Sequence, residues 1–293
     1  MAKPKLSVCA LNVVIHDEEK RNYKQLVRDA GALREVVAFN KTHAASLIST
    51  SQISIDGKML LNGTIYRFIN VSPPYFDANR SEVLLDDDGA PINLLPPHVK
   101  SSTKEVRFLL QHKEHRIYVD TKNISPKMAR NFFEIIFNNK SIVDKYGSID
   151  VSLHSSRKAI ESILGMYELR SLVVKISRPN PVGVNRFDEE VYREMEEQGA
   201  EKQDLALRTR KNTLRPNDNY KKYMHAAQSH GSVVGQGRKE DGTKDVKSTE
   251  DYPMRTTISI GKDEPYLKCL FRAAKTMWEE IKSDGNSDDR TDA

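Results

Sequence analysis

Six cations lie close together between positions 208 and 222, and their types and spacing suit contact with phosphate groups. Lysine and arginine neutralise phosphates and release counterions, so such a cluster is typical of nucleic-acid-binding surfaces. Tyr220 and Tyr223 lie among the charges and could contact a sugar or a base, and only Asp218 offsets the cations. A solvated helix face is the alternative interpretation. The six cations are Arg208, Arg210, Lys211, Arg215, Lys221 and Lys222.

A glycine-rich stretch at residues 231–239 offers a second candidate phosphate contact. Its glycines would let backbone amides approach an anion, and it ends in Arg238 and Lys239, which we add to the candidate nucleic-acid contacts. The spacing fits neither the P-loop nor the dinucleotide fingerprint. A helix end followed by a β-bulge explains the glycines equally well, so both interpretations stay open.

Asp120 and Lys122 form the third candidate, because an acid and a lysine at a strand end make the smallest arrangement of a magnesium-dependent nuclease. The carboxylates would hold the metal, and the lysine would help position the attacking water. A second carboxylate would come from Asp86, Asp88 or Glu105. The alternative is that Asp120 begins a turn. No other cofactor and no other catalytic residue is expected.

The histidines and the acidic run have simpler interpretations. His112 and His115 fall in a predicted hairpin loop without cysteines or helical spacing, so we expect solvated side chains rather than a metal site. His154 precedes two serines, at 155 and 156, which we assign to a helix N-cap because no glycine elbow accompanies them. Asp188 begins an acidic run on the first turns of a helix, where the macrodipole favours carboxylates.

The composition permits nucleic-acid binding without requiring it. Of 293 residues 38% are apolar, and 46 basic residues against 41 acidic ones give a net charge of +5. Because affinity follows local clusters, this small excess alone decides nothing. No apolar run approaches the ~18 residues of a membrane span, and two cysteines are too few for a disulfide framework. We expect a cytoplasmic protein.

The pattern of strands and helices predicts an α+β fold. Residues 5–15 read as a strand, and residues 46–71 as a small antiparallel N-terminal sheet with turns at Asp56-Gly57 and Asn62-Gly63. A proline-rich loop over 73–97 follows, so we divide the chain into an N-terminal β-rich domain, 1–100, and an α+β domain with the basic region, 101–293.

The second part predicts a central mixed sheet covered by two helices. A hairpin spans 106–120, a helix begins with Asn123 or Ser125 as its N-cap, and residues 149–181 give a strand, a helix, a strand and a Pro-Asn-Pro stop. A charged, helix-favouring run follows over 187–210. The chain then ends with a hairpin over 232–249, a strand over 255–260 and an amphipathic helix over 265–281.

Several segments spread over most of the chain carry a family resemblance. They are LNGTIYRF, the aromatic pair after Pro73-Pro74, IYVDTKNISP, FFEIIFNN, YGSIDVSLHSS, ISRPNP and STEDYPM. Together they resemble a bacterial family known only as a domain of unknown function, whose members tend to lie near phage-related and mobile genes. In layout and length the chain is also similar to the DNA-binding sensor protein of a lambda-type phage exclusion system. That similarity implies a dimeric DNA binder in antiviral defence and supplies no catalytic residues.

These observations lead to an expected function and two alternatives. We expect a non-enzymatic, double-stranded DNA-binding homodimer in phage defence or exclusion, which contacts the phosphate backbone with weak sequence preference and has a possible second defence protein as partner. The first alternative is a magnesium-dependent nuclease that uses Asp120 and Lys122. The second is a protein-interaction subunit of a defence complex, whose apolar C-terminal helix docks on a partner.

Overall fold

A computed structural model describes residues 4–70, 76–77, 79–89, 96, 98–179 and 186–286. These residues form two multi-stranded antiparallel sheets and seven α-helices, so the α+β class is confirmed. The strands are β1 (Lys5–Ile15), β2 (Val37–Ala38), β3 (His43–Ile55), β4 (Lys58–Ile69), β5 (Phe76–Asp77), β6 (Glu82–Val83), β7 (Ser101–Gln111), β8 (Arg116–Asp120), β9 (Ile149–Leu153), β10 (Glu168–Ser177), β11 (Lys202–Arg208), β12 (Gly231–Arg238), β13 (Lys244–Ser248) and β14 (Arg255–Ser259). The helices are α1 (Tyr23–Ala32), α2 (Pro126–Phe137), α3 (Lys140–Tyr146), α4 (Arg157–Leu164), α5 (Arg186–Glu197), α6 (Asp218–His230) and α7 (Tyr266–Asn286).

The large sheet has the strand order β14-β1-β8-β7-β4-β3-β2, and β9 lies beside the second half of β1. Alternate residues of β1 therefore point to opposite faces, and both faces are buried. Leu11 and Val13 face a core that includes residues of α1, α2 and α3. Leu6 and Val8 face α7. The apolar face of α7 packs on the chain's own sheet, so it does not form the free docking surface of the interaction-subunit alternative.

Aromatic side chains of α2 fill the first of these cores. The helix begins where the sequence predicts, because Ser125 Oγ accepts a hydrogen bond from Met128 N at 3.2 Å and Pro126 occupies the first turn. Phe133 packs edge-to-face on Phe108 of β7, with ring centroids 5.2 Å apart. Phe108 in turn lies over Gly63 of β4, where there is no space for a side chain.

The second sheet has the order β11-β10-β12-β13, with every pair antiparallel. The inward residues Leu172, Val174 and Ile176 of β10 are buried in a core shared with α4, α5 and α6. This sheet meets the large sheet through α6, which also contacts β9 and β1. The predicted C-terminal hairpin and helix are confirmed as β12–β13 and α7.

Four details of the predicted fold are wrong. The Asp56-Gly57 turn exists, but Asn62 and Gly63 lie inside β4 and pair with Leu109 and Phe108. The N-terminal strands are therefore part of the large sheet, which joins strands from both sides of residue 100. No mixed pairing occurs, because every strand pair among the described residues is antiparallel.

The charged run over 187–210 is the fourth difference, because only its first half is a helix. The helix α5 ends at Glu197, Gly199 adopts a φ of 65°, and β11 follows. In β11 the residues Gln203, Leu205 and Leu207 point inward and the residues between them are exposed. The predicted loop over 73–97 and the stop at 179–181 fall partly outside the described residues.

Candidate nucleic-acid interface

The second sheet packs on α4 and α6 with one face, and we call the opposite face the open face. Directly opposite residues of antiparallel strands share a face, so the pairing register assigns its members. Most of them are exposed or half-buried polar residues, with small apolar residues at the centre. They are Ser171, Val173, Lys175 and Ser177 of β10, Lys202, Asp204, Ala206 and Arg208 of β11, Ser232, Val234, Gln236 and Arg238 of β12, and Lys244, Val246 and Ser248 of β13.

Cations gather at one end of this face, near the start of β10. Arg208 is opposite Ser171 on one side of β10, and Arg238 is opposite Glu168 on the other. The loop after β11 stays at the same end, because Thr209 N donates to Arg170 O at 2.9 Å and an Arg170 guanidinium nitrogen donates to Arg210 O. The structure thus brings two separately predicted groups together. We call this group the cationic end: Arg208, Arg210, Lys211, Arg238, Lys239 and Lys244.

The charges of the cationic end are exposed and lack ion-pair partners within the described part of the chain. Arg238 lies directly opposite Lys244, an arrangement of like charges that destabilises an antiparallel pair. Glu168, the nearest acid by register, already accepts hydrogen bonds from Arg170 at 2.8 and 3.0 Å. At a strand spacing of about 4.8 Å, Arg208 and Arg238 are roughly 12 Å apart, on the scale of a DNA groove.

The remaining cations of the predicted cluster are placed differently. Lys222 is 11% exposed, pairs with Glu194 of α5 and lies over the ring of Tyr223. Lys221 pairs with Asp218 at 3.0 Å. Arg215 is exposed in the loop before α6. Lys222 is thus held in the contact between α5 and α6, which leaves Arg215 and Lys221 as accessible members of this group.

Tyr223 does not point toward a nucleic acid either. It is buried, and its hydroxyl donates to Glu194 Oε2 at 2.6 Å. Burial raises the pKa of Tyr223 to about 12, and the hydrogen bond to the Glu194 carboxylate adds to this effect. The phenol therefore stays protonated and holds α6 against α5.

The glycines of residues 231–239 are explained by close packing. A Cβ atom on Gly235 would lie 2.7 Å from Ile163 Cγ2 of α4. A Cβ atom on Gly237 would lie 1.6 Å from Glu168 O of the neighbouring strand, next to the β-bulge of β10. These glycines face the covered side of the sheet, whereas Arg238 projects from the open face.

The Asp120 carboxylate is engaged on both oxygens. Its Oδ2 accepts from Tyr266 OH at 2.5 Å, and its Oδ1 accepts from the Lys122 backbone N–H at 2.9 Å. Burial, then the bond to Asp120, raises the pKa of Tyr266, so the phenol remains a donor. Glu105 contacts Arg107. Among the described residues, no three His, Cys, Asp or Glu side chains are grouped to hold a metal ion.

The other carboxylates and histidines have local partners. Asp86 Oδ1 accepts from Asp88 N at 3.1 Å within its own turn. His115 stacks on Tyr23 at a centroid distance of 4.4 Å. His154 Nδ1 lies 2.7 Å from Ser229 Oγ, and burial, then the Arg116 charge, keeps the pKa of His154 well below its usual range. His154 is therefore a neutral, buried side chain, and Ser156 is the N-cap residue of α4.

Sequence reasoning missed a buried polar centre between the two sheets. Asn12 Nδ2 of β1 donates to His230 Nδ1 of α6 at 3.0 Å, and His230 Nε2 lies 3.5 Å from Asp188 Oδ2. Asp188 is fully buried, unlike the solvated first-turn acid that we predicted. Burial lowers the pKa of the fully buried Arg116, and the nearby Asp188 carboxylate opposes this effect. The centre joins both sheets through polar contacts and is closed to solvent.

A second polar link joins the sheets beside a cleft of about 510 Å³. His16 Nε2 donates to Asp150 Oδ2 at 2.6 Å, and Lys202 Nζ of β11 lies 2.6 Å from Asp150 Oδ1. Burial alone would raise the pKa of Asp150, but hydrogen bonds from His16, Lys202 and Ser177 outweigh it and lower the pKa to about 2.

This link predicts an acid-sensitive contribution to stability. Because the folded-state pKa of Asp150 is below its ordinary value of 3.8, the contribution is present above about pH 4 and is lost as the pH falls toward 2. The shift corresponds to about 2 kcal/mol. Denaturant unfolding of the wild type and of Asp150→Asn should differ by this amount at about pH 6 and converge near pH 2. A difference that stays constant over this range would contradict the assignment.

One known family covers most of the chain. The family model described as domain of unknown function DUF4747 matches residues 4–276, from the start of β1 to within α7. The chain belongs to this family. No curated protein matches the chain. Among the described residues, none of the helices combines the length and the apolar composition that a membrane span requires.

Proposed function

We propose that the protein is a non-enzymatic, double-stranded DNA-binding protein that contacts the phosphate backbone through its cationic end. The observation that carries this proposal is the gathering of exposed, unpaired cations from β11, the following loop and the β12–β13 hairpin on one sheet end. Arg238 and Lys244 lie side by side, and their like charges repel each other. A bound phosphate would relieve this repulsion. Arg215 and Lys221 border the same loop.

The chemistry of the open face favours duplex over single-stranded nucleic acid. Proteins that hold single strands provide several aromatic rings on which bases stack. The open face has serine, valine, alanine and glutamine between its charges, and none of its described members is aromatic. Phosphate contacts position a protein on DNA without reading its sequence, so we expect weak sequence preference.

The proposal includes the assembly and the biological role that the resemblance implies. A homodimer would double the number of phosphate contacts and steepen the salt dependence of binding. A role in phage defence or exclusion rests on the resemblance alone. The nuclease alternative would need a metal site around Asp120, whose oxygens are already engaged by Tyr266 and the Lys122 amide.

Charge reversal at the cationic end is the test of DNA binding. Arg210→Glu with Lys211→Glu alters two exposed loop residues and is expected to weaken binding of a fluorescent duplex at least about tenfold. The slope of log K against log salt should also become shallower, by about 2 if each residue contacts one phosphate. Fluorescence anisotropy over a salt series measures both quantities.

Two controls make the result specific. Lys41→Glu with Lys262→Glu changes the net charge equally at exposed positions away from the cationic end and should leave binding nearly unchanged. A single strand of the same sequence should compete less well than the duplex. Equal loss in both double variants, or no binding of duplex at low salt, would refute the proposal.

A further inference from the structure

The strand β13 forms one edge of the second sheet. Within the described part of the chain it pairs with β12 alone, so the backbone N–H and C=O groups along its outer side have no strand beside them. An edge strand in this state is a template for pairing with a strand of another chain. Val246 at the centre of β13 is 48% exposed and lies on the open face. A further strand would find both backbone partners and an apolar side chain there.

The usual structural devices that block an edge are absent from β13. Its five residues contain no proline, and they pair with β12 without a bulge. Lysines often protect an edge because they repel a second copy of the same strand. In β13, Lys244 and Lys247 lie on either side of Asp245, so the register of pairing decides whether their charges repel or attract.

The charges of β13 are complementary to those of an antiparallel copy of the same strand. When two copies pair about Val246, Asp245 of each copy lies opposite Lys247 of the other, and Val246 lies opposite Val246. Lys244 then lies opposite Ser248. Opposite charges across an antiparallel pair stabilise it, whereas a register centred on Lys244, Asp245 or Lys247 would place like charges opposite each other. The sequence of β13 therefore favours one register.

The two residues of this ion pair lie on the same face of the sheet. Asp245 and Lys247 are opposite Gly237 and Gly235 of β12, which face the helix-covered side. Asp245 is half-buried and has no ion-pair or hydrogen-bond partner among the described residues. Lys247 Nζ donates one hydrogen bond to Ser162 O of α4 at 2.9 Å, which leaves two of its three N–H groups for a carboxylate.

We propose that two copies of this chain pair through β13 in an antiparallel arrangement with two-fold symmetry. The two second sheets would become one continuous sheet, with both open faces on the same side. Lys244 is two residues from the symmetry axis, and Arg238 lies beside it on β12. Cations from both cationic ends would therefore surround the axis. This inference rests on the proposed function for its use, since it gives the homodimer of that proposal a stated interface.

The strength of this contact follows from its size. One strand of five residues from each copy makes an interface smaller than that of a permanent dimer. We expect a reversible dimer with a dissociation constant of about 100 µM or tighter. A duplex that contacts both cationic ends would strengthen pairing, because it raises the effective concentration of one copy near the other.

Sedimentation equilibrium of the full chain without DNA tests the charge pattern. Asp245→Lys and Lys247→Asp each place like charges opposite each other, so each variant alone should dimerise at least about tenfold more weakly than the wild type. An equimolar mixture of the two should recover the dimer, because both cross-strand pairs then join a lysine to an aspartate. Asp263→Lys makes the same charge change at an exposed position beside the large sheet and should dimerise like the wild type.

Cross-linking tests the position of the symmetry axis. The native Cys9 and Cys269 are buried, so Val246→Cys introduces an accessible thiol. Opposite Cβ atoms of paired strands are about 5 Å apart, and a short bismaleimide should link two copies of this variant. Val36→Cys, at an equally exposed position (48%), should link far less at the same protein concentration.

Two results would overturn the proposal. One is a wild type that stays monomeric at about 200 µM, above the expected dissociation constant. The other is a dimer that Asp245→Lys leaves unchanged. Because no DNA is present, either result refutes the interface alone, and salt-dependent duplex binding that is lost in Arg210→Glu with Lys211→Glu would still support the cationic end.

Discussion

Replacement of Asp188 by alanine is expected to lower the free energy of unfolding by about 3–5 kcal/mol. The carboxylate is fully buried, lies 3.5 Å from His230 Nε2 and is a counter-charge to Arg116, which is also buried. Without the Asp188 carboxylate, the buried Arg116 guanidinium would lose a nearby negative charge. Two of its nitrogens already lack a hydrogen-bond partner among the described residues. Chemical denaturation of the purified variant measures the loss.

The matched control for this prediction is Asp204→Ala. Asp204 is 66% exposed and lies 4.0 Å from Lys175, so its removal should change stability by no more than about 0.5 kcal/mol. Combining Asp188→Ala with Arg116→Met removes both buried charges and should recover part of the loss, since an apolar pair can replace a buried ion pair. A stability of Asp188→Ala within about 1 kcal/mol of the wild type would contradict the role of this centre.

Substitution of Gly63 by alanine should also destabilise the fold, by about 2–3 kcal/mol. The new Cβ atom would lie 2.2 Å from Phe108 Cζ and 2.4 Å from Phe108 Cε1. The ring cannot move away freely, because Phe108 is fully buried and packs edge-to-face on Phe133. Chemical denaturation again gives the value.

A double-mutant cycle decides whether the clash with Phe108 is the cause. Phe108→Leu removes the ring atoms that the methyl group would meet, so Gly63→Ala should cost less in that background than in the wild type. Simple addition of the two single losses would show that the destabilisation of Gly63→Ala has another origin.

Local chemistry made much of the fold predictable from sequence. The alternating residues of β1, the Asp56-Gly57 turn and the cap at Ser125 each specify an element through neighbouring residues alone. The error at Asn62-Gly63 shows the limit of this reasoning. The same dipeptide favours a hairpin turn and also provides the space that Phe108 needs, and only the paired strand decides between them.

The candidate site was less predictable, because its members are separated along the chain. In the sequence Lys222 belongs to a cationic cluster. In the fold it forms an ion pair with Glu194, which lies 28 residues earlier in the chain. Asn12 and His230 are 218 residues apart, and no periodic pattern connects them. The strand β11 left a visible signal, since Gln203, Leu205 and Leu207 alternate with polar and small residues, but charge density favoured a helix.

The position of β1 has a consequence for how the protein is made. This first strand is an interior strand of the large sheet and pairs with the edge strand β14, so that Val8 lies opposite Thr256. During synthesis β1 leaves the ribosome before the other strands of this sheet, yet its first half and its α7-facing side stay uncovered until β14 and α7 have emerged. Such long-range pairing slows folding and exposes an unpaired apolar strand to aggregation. Chaperone binding to the nascent chain should therefore concentrate on residues 5–15 and end once α7 is released.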